Sequence, residues 1–174
     1  MSKRIYWKTC KKTSIFIDAA NVFYSQKTLR WRVDYEKFLN FFKKRTNFRK
    51  AYFYSAVIST HKKQKRFFAA LNKIGYEVIT REVKVIKDRR KKVIVQKGNF
   101  DVKLAIDLVL KAKEFDTAVL VSGDSDFEPA VEYLRGIGKK VIVVSSRGHI
   151  SRELAKAGDV YLPLEKIKKE VLKI

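Results

Sequence analysis

Residues 117–127 read Thr-Ala-Val-Leu-Val-Ser-Gly-Asp-Ser-Asp-Phe, a short apolar run followed by two aspartates. An apolar run of this length that ends in a turn signal is typical of a strand buried on both faces. The run Ser14-Ile-Phe-Ile-Asp18 ends in the same way. If the two strands are parallel neighbours, Asp18 and Asp124 emerge at the same edge of the sheet, where ligands of such sheets collect.

Strand-like and helix-like patterns alternate along most of the chain. Helices are predicted over 34–45, 60–74, 99–114, 127–136 and 149–157, and strands over 14–18, 49–57, 76–83, 117–121, 140–145 and 160–164. Crossovers between parallel strands return over the sheet and cover its faces. The order therefore predicts an α/β fold with a mainly parallel central sheet between two helical layers.

Two further features are predicted, a basic hairpin and the packing face of one helix. The segment 84–97 has β-branched residues on both sides of Asp88-Arg-Arg-Lys91, which predicts a protruding β-hairpin with a basic tip. In the helix predicted over 99–114, the residues Val102, Ala105, Ile106 and Val109 fall on a single stripe, which is typical of a helix that packs on a core.

The composition favours one domain and a nucleic-acid partner. The 174 residues are 46% hydrophobic, enough for one sizeable core. Forty Lys and Arg face 18 Asp and Glu, so the formal charge is +22, and a polyanion would neutralise the resulting self-repulsion. No apolar run reaches the roughly 18 residues that a membrane span needs, so a membrane partner is not expected.

The cysteine and histidine counts exclude several kinds of site. Cys10 is the single cysteine, so an intrachain disulfide and a cysteine-built zinc site are excluded. His61 and His149 have no partner at metal-ligand or triad spacing. The stretch 1–13 is charged and lacks the apolar core of a secretion signal, which predicts an intracellular protein, with the cytoplasm as its location.

Three separate acidic points stand out in this basic chain: Asp18, Asp124 and, at the start of a predicted helix, Asp101. Carboxylates that crowd together repel one another, and they either hold protons or bind a divalent cation; oxygen ligands favour Mg²⁺ or Mn²⁺. Asp101 and Asp126 would complete the set of carboxylates around the cation. Such a cation lowers the pKa of a bound water, so hydrolysis needs no histidine base. The pattern predicts a metal-dependent nuclease.

The same aspartates also have structural interpretations. Asp18 would end a strand or cap the following helix, and Asp126 stands where an N-cap is needed before Pro129. Asp101 would interact favourably with the positive end of its own helix. For Asp126 the structural and the metal-binding roles are compatible.

Gly123 and Asp107 help to rank the candidate metal ligands. Gly123 indicates a close approach of the backbone to whatever the Asp124 carboxylate holds, which favours a functional role for Asp124. Asp107 lies four residues from both Lys103 and Lys111, so surface ion pairs explain it and place it outside the metal site.

Basic clusters are candidates for binding the phosphate backbone. They comprise Lys62, Lys63, Lys65 and Arg66, and in the predicted hairpin Lys87, Arg89, Arg90, Lys91 and Lys92. Each neutralised phosphate releases counterions, so binding would weaken steeply as salt increases. A merely solvated surface is the competing interpretation. Tyr24, Trp31 and Tyr54 are candidates for base stacking, although aromatic residues more often fill a core.

Four motifs in the expected order resemble the NYN domain family, PIN-like ribonucleases that include the LabA-like proteins. They are Phe16-Ile-Asp-Ala-Ala-Asn21, Lys97-Gly-Asn-Phe-Asp101 with its extension to Asp107, Ser122-Gly-Asp-Ser-Asp-Phe127, and Ser151-Arg-Glu-Leu154 before Ala157-Gly-Asp159. The resemblance implies a PIN-like three-layer α/β/α sandwich. It divides the chain into a basic N-terminal extension (1–13), an NYN/PIN-like domain (14–165) and a C-terminal helical tail (166–174).

The resemblance also implies a magnesium- or manganese-dependent site that cleaves RNA, formed by Asp18, Asp101, Asp124 and Asp126. Asn21 would orient the first carboxylate or a metal-bound water. Ser122 would hydrogen-bond a ligand or phosphate, and Lys97 would contact the substrate backbone. The family usually has Gly where this chain has Ala19 or Ala20, a small-for-small change.

Alternatives remain open at this point. A noncatalytic nucleic-acid-binding module would keep the fold and the charge without the cation. A haloacid-type phosphatase needs a second Asp two residues after its nucleophile, where this chain has Ala20. A mixed or antiparallel sheet would separate Asp18 from Asp124. The residues do not distinguish RNA from single-stranded DNA, or one oligomeric state from another.

Overall fold

A computed structural model describes residues 7–57, 62–82, 85–86, 94–95 and 100–174. The strands are β1 (Lys12–Asp18), β2 (Asn47–Val57), β3 (Tyr76–Glu82), β4 (Val85–Ile86), β5 (Ile94–Val95), β6 (Thr117–Val121), β7 (Lys140–Ser145) and β8 (Val160–Pro163). The helices are α1 (Ala19–Leu29), α2 (Tyr35–Lys43), α3 (Lys62–Ile74), α4 (Phe100–Leu110), α5 (Glu128–Gly136), α6 (Arg152–Ala157) and α7 (Lys168–Val171). Short 3₁₀ helices cover Trp7–Thr9, Ala112–Glu114, Ser125–Phe127 and Leu164–Ile167.

Six strands form one sheet in the order β3-β2-β1-β6-β7-β8, and every neighbouring pair in it is parallel. The chain moves outward from β1 to β3 on one side and from β6 to β8 on the other, so the strand order reverses between β1 and β6. In the register, Ile17 lies beside Val121. The parallel-sheet prediction is confirmed, and the mixed or antiparallel alternative is wrong for this sheet.

Side chains that alternate along the strands form two cores, one on each face of the sheet. Ile15 and Ile17 of β1 pack with α1, α2, α3 and α7. Phe16, between them, packs on the opposite face with residues of α4, α5 and α6. Because helices cover both faces, the fold is the predicted three-layer α/β/α sandwich.

Caps explain where several helices begin. The Asp34 side chain caps α2 by accepting hydrogen bonds of 3.0 Å from the amides of Glu36 and Lys37. Pro129 occupies the first turn of α5, where its missing N–H has no cost. Gly75 follows α3 with a φ of 113°, a conformation that glycine adopts without strain.

The predicted packing face of α4 is wrong in part, because two of its four residues are exposed. Val102 and Ile106 are 54% and 47% exposed, whereas Leu104, Asp107 and Leu108 are buried. These buried residues also recur at helical spacing, but because Asp107 is charged, the hydrophobicity pattern does not identify their face of the helix as the buried one. The inward face of α4 therefore contains an ionisable side chain.

Asp107 forms the predicted ion pair with Lys103, but Asp107 itself is buried and only 4% exposed. The hydroxyl of Tyr54 donates a 2.9 Å hydrogen bond to Oδ2, and the ammonium group of Lys103 binds Oδ1. Lys111, the other predicted partner, lies over the ring of Tyr52, 5.0 Å from its centroid. A buried carboxylate with two such donors connects α4 to β2.

The predicted hairpin is described only at its base. Val85 pairs with Val95 and Ile86 with Ile94 in an antiparallel ladder. The tip residues Lys87, Arg89, Arg90, Lys91 and Lys92 lie outside the described residues, and so does Lys97. The basic hairpin tip therefore stays a prediction.

The described parts of both chain ends pack on the layer that contains α2. Trp7 contacts Phe41 with 5.6 Å between ring centroids. Val171 of α7 is fully buried, and its carbonyl accepts a 2.8 Å hydrogen bond from the amide of Asp34. The division of the chain at residues 13 and 165 stays a prediction. Within the described ranges, no helix combines the length and apolarity required to cross a membrane.

Candidate functional site

The candidate site lies at the edge of the sheet where β1 and β6 end. Asp18, Asn21, Asp101 and Asp124 line one cavity there. Asp18 is the last residue of β1, Asp124 follows β6, and Asp101 lies in the first turn of α4. The fold therefore brings the three separate acidic points of the sequence to the strand-order reversal, where open α/β sheets bind ligands.

Asp18 is largely buried, with 8% exposure, and its side chain both caps a helix and faces the cavity. Its Oδ1 caps α1 by accepting hydrogen bonds from the amides of Ala20 at 3.0 Å and Asn21 at 3.1 Å. Its Oδ2 accepts a 3.0 Å hydrogen bond from the hydroxyl of Ser122, so Ser122, predicted to bind a ligand or phosphate, positions Asp18 in this structure. The helix-cap interpretation is thus confirmed, and Asp18 also faces the cavity.

Burial raises the pKa of Asp18, and the nearby charge of Asp101 raises it further. The hydrogen bonds from Asn21, Ser122 and Ala20 act in the opposite direction because they favour the ionised carboxylate. The net raised pKa means that the fold holds the Asp18 carboxylate in a place where its charge is unfavourable. A bound cation would relieve this cost.

Asp18→Asn is expected to increase the free energy of unfolding by ~0.5–2 kcal/mol near neutral pH with chelator present. Asparagine keeps a capping oxygen but removes the buried charge. Because the folded-state pKa is raised above the ordinary 3.8, the stabilising contribution of the wild-type carboxyl is present below that value and is lost as the pH rises through the folded-state pKa. The advantage of the variant should therefore shrink as the pH falls through the folded-state pKa and should be absent below about pH 3.8. Urea denaturation at several pH values measures it.

The control for this substitution is Asp34→Asn, which alters a helix cap with the same two-amide pattern but a more accessible side chain. This variant should show no comparable gain. A loss of stability in Asp18→Asn, or a gain that is the same at every pH, would contradict the charge-burial explanation.

Asp124 and Asp126 occupy different environments. The Asp124 side chain caps the 3₁₀ helix Ser125–Phe127 by accepting a 3.1 Å hydrogen bond from the amide of Asp126. The amide of Asp124 points to Ser122 Oγ at 3.3 Å. Asp126 is exposed and is not among the described residues that line the cavity. The N-cap predicted for Asp126 is wrong, because Asp124 caps the 3₁₀ helix and α5 has Phe127 at its N-cap position with no side-chain hydrogen bond.

Asn21 connects α1 to the end of β7. Its Oδ1 accepts a 3.3 Å hydrogen bond from the hydroxyl of Ser145, the last residue of that strand. Ser146 follows it, and its Oγ lies 3.1 Å from Ser25 Oγ and 3.0 Å from His149 Nδ1. Sequence reasoning missed both serines, although polar residues directly after an apolar strand are the same signal that identified Asp18.

Gly123 permits a close approach, but to protein and not to a ligand. A Cβ at this position would collide with the carbonyl of His149 and lie 2.8 Å from Ser145 Oγ. The carbonyl of Gly123 also accepts a 2.9 Å hydrogen bond from the amide of Ser151. The segments that follow β6 and β7 therefore pack backbone to backbone, which holds the segment carrying Asp124 in place.

The donor set of the cavity fits a hard divalent cation. Carboxylate and amide oxygens from Asp18, Asp101, Asp124 and Asn21 are the ligands that Mg²⁺ and Mn²⁺ prefer. Within the described ranges, however, no three His, Cys, Asp or Glu side chains are grouped so that they alone could hold a metal ion. The predicted cage of several carboxylates is thus not formed there. One or two carboxylates with water and substrate phosphate are the usual ligands of Mg²⁺, and this donor set suits that mode.

Basic and aromatic residues surround the carboxylates. The predicted cations Lys62, Lys63, Lys65 and Arg66 are exposed on the first turns of α3, a helix whose Gln64 and Phe67 line the cavity. Lys27, Arg30 and Arg32 also line it, and sequence reasoning missed them because neutral residues separate them. Of the predicted stacking candidates, Tyr24 is exposed, Trp31 is half-buried and Tyr54 is buried.

Comparisons with known proteins cover nearly the whole chain. The model of the NYN domain matches residues 12–165. The chain is 36% identical over 160 residues to Low amplitude and bright protein LabA from Synechococcus elongatus, which covers 90% of this chain and 86% of that protein. The fold is similar to the crystal structure of a protein of unknown function from Vibrio parahaemolyticus, with a TM-score of 0.78, 28% identity, and coverage of 94% of this chain and 97% of that one.

Proposed function

Because the chain belongs to the NYN domain family, which is related to the PIN-like nucleases, we propose that it is a divalent-metal-dependent ribonuclease. The observation that carries the proposal is the single cavity that Asp18, Asp101 and Asp124 line at the strand-order reversal. These carboxylates stand out in a chain of formal charge +22, which attracts a polyanionic substrate.

Each residue of the cavity has a proposed task. Of Asp18, Asp101 and Asp124, one or two would bind Mg²⁺ or Mn²⁺ directly and the rest would act through bound water, with Asp126 acting from the exposed edge. A bound ion would supply Lewis-acid activation of the scissile phosphate and of the attacking water. Asn21 would orient the Asp18 carboxylate or a water. Ser122 positions Asp18 through its hydroxyl, and so keeps one carboxylate oxygen directed away from the α1 cap.

The basic residues would bind the substrate backbone. We assign this role to Lys62, Lys63, Lys65, Arg66, Arg89, Arg90, Lys91, Lys92 and Lys97. Lys62, Lys63, Lys65 and Arg66 are exposed on the helix that also contributes Gln64 to the cavity wall, which supports a continuous path for the strand. Binding through phosphates makes affinity fall as salt rises. A plot of the logarithm of the binding constant against the logarithm of the salt concentration should have a slope of about −0.7 for each phosphate contacted on a single strand.

The test is cleavage of end-labelled single-stranded RNA with Mg²⁺, with Mn²⁺ and with EDTA. We expect cleavage that either cation supports and that EDTA abolishes, since the carboxylates provide a site for the ion and no histidine lines the cavity among the described residues. Analysis of the product lengths distinguishes internal from terminal cutting. Absence of cleavage with both cations, or cleavage that EDTA leaves unchanged, would contradict the proposal.

A noncatalytic nucleic-acid-binding module is the second candidate. The observation that favours it is that Asp18 and Asp124 both cap helices, so their presence at these positions has a structural explanation. Such a protein would bind RNA or single-stranded DNA with the same salt dependence but would not cleave either with Mg²⁺ or Mn²⁺. The cleavage assay therefore separates the two functions directly.

A further inference from the structure

Two large aromatic side chains are exposed beside each other on α1. Phe23 and Tyr24 are 53% and 54% exposed. Their ring centroids are 5.6 Å apart in an edge-on arrangement. The ammonium group of Lys27 lies 4.5 Å from the centroid of Phe23 and 5.5 Å from that of Tyr24. Aromatic residues usually contribute to stability by being buried, so packing within the described residues does not explain this pair.

The exposed pair belongs to the cavity that contains the carboxylates, because Phe23, Tyr24, Asp18 and Asp124 all line it. Tyr24 follows Asp18 by six residues of helix, which corresponds to about 9 Å along the axis of α1. Bases in a stacked strand are separated by about 3.4 Å, so this length matches two to three nucleotides. A strand with a phosphate at the carboxylates would therefore reach the two rings.

The charges around the rings suit a polyanion. Lys27, Arg30 and Arg32 line the cavity near the end of α1, and α1 itself contains no Asp or Glu. Asp34 and the exposed Glu36 also line the cavity, but the Asp34 side chain accepts hydrogen bonds from the first amides of α2, and the three cations outnumber the two carboxylates. Cations that flank exposed rings are the combination by which proteins bind single strands: the rings stack on bases and the cations contact phosphates.

We propose that Phe23 and Tyr24 form a stacking surface for unpaired bases of single-stranded RNA, with Lys27, Arg30 and Arg32 contacting the adjacent phosphates. The inference rests on the proposed function in that the stacked strand is the one presented to the carboxylates. In a duplex the bases already stack on each other and are paired, so their faces are not available to protein rings. The surface would select single-stranded over double-stranded substrate.

The test is fluorescence anisotropy with a labelled 12-nucleotide single-stranded RNA and a duplex of the same sequence, in EDTA and in an Asp124→Asn background, so that cleavage plays no part. Replacing both rings (Phe23→Ala with Tyr24→Ala) should weaken single-strand binding roughly 5- to 100-fold. Duplex affinity should change by less than about twofold. Lys27→Ala should reduce the salt slope of binding by about 0.7.

The matched control is Tyr133→Ala, which removes a tyrosine of similar exposure, 51%, from α5 and should leave single-strand affinity unchanged. Phe23→Leu with Tyr24→Leu keeps the apolar bulk but lacks the rings, and it should lose as much affinity as the alanine pair. Thermal unfolding confirms that each variant is folded. Leucine variants that bind like the wild type would overturn the stacking assignment.

Other outcomes also decide the matter. If the wild type self-associates in sedimentation velocity and the alanine pair is monomeric with unchanged RNA affinity, the rings are a contact between two copies and the proposal is overturned. If the protein binds single strands through the rings but never cleaves, the stacking surface stands and the ribonuclease function fails. If it cleaves, but the alanine pair binds and cleaves like the wild type, only the stacking surface fails.

Discussion

Asp124→Asn is expected to lower metal-dependent RNA cleavage by at least ~1000-fold, because loss of a direct carboxylate ligand should exceed the 10–100-fold cost of losing an outer-shell partner. The substitution is nearly isosteric. Asparagine can still accept the hydrogen bond from the amide of Asp126 that caps the following 3₁₀ helix, so the fold should be retained. Initial cleavage rates of end-labelled single-stranded RNA in Mg²⁺ and in Mn²⁺ give the measurement.

Asp116→Asn is the matched control, because Asp116 immediately precedes β6 and thus lies at the opposite end of the strand that carries Asp124. Its rate should equal that of the wild type. Asp126→Asn should lose much less activity than Asp124→Asn, because its side chain is exposed and does not line the described cavity. Equal residual cleavage by the wild type and Asp124→Asn would remove Asp124 from the catalytic site.

Gly123→Ala is expected to destabilise the fold by at least ~3 kcal/mol, near the upper end of single substitutions. The added Cβ would collide with the backbone carbonyl of His149, and backbone cannot move aside as a flexible side chain can. Relief requires the segments after β6 and β7 to separate, which would break the hydrogen bond between the amide of Ser151 and the Gly123 carbonyl. Urea denaturation measures the change in unfolding free energy, and cleavage should fall because Asp124 is displaced.

Gly136→Ala gives the matched comparison. A Cβ at Gly136, the last residue of α5, would meet no heavy atom within 4 Å. This substitution should be neutral or stabilise the protein by up to ~1 kcal/mol, because alanine is the better helix former. If the two alanine variants are equally stable, the backbone contact at Gly123 is not a constraint on the fold.

The sequence predicted the architecture well where hydrophobic periodicity was unopposed. The runs before Asp18 and Asp124 are apolar on both faces, and such runs leave few options besides a central parallel strand. The same method failed on α4. There a more apolar stripe, containing Val102 and Ile106, is exposed, and the stripe containing Asp107 is buried. Spacing predicted the ion pair with Lys103, but periodicity treats every charged residue as polar, so it could not anticipate that Asp107 is buried and accepts a hydrogen bond from Tyr54.

The candidate site shows the same division. The positions of Asp18 and Asp124 at strand ends followed from local pattern, and the motif order indicated the family. The environment of each carboxylate could not be predicted from the local pattern. Ser122 binds Asp18 across 104 positions of sequence, and Ser145 reaches Asn21 across 124. Such contacts depend on strand order and crossover geometry, for which a single sequence contains no direct signal.

By itself the sequence determined the alternation of strands and helices, the basic charge that calls for a polyanion, and the aspartates that end two buried strands. Tertiary structure alone decided that Asp101 lies near enough to Asp18 to raise its pKa, that Asp126 is exposed, and that Phe23 and Tyr24 are exposed at the same cavity. The physical reason is the distance along the sequence over which each interaction acts. Backbone propensity and hydrophobic periodicity act over a few residues and can be read locally, whereas charge repulsion, burial and cavity lining depend on distances between residues that only folding brings together.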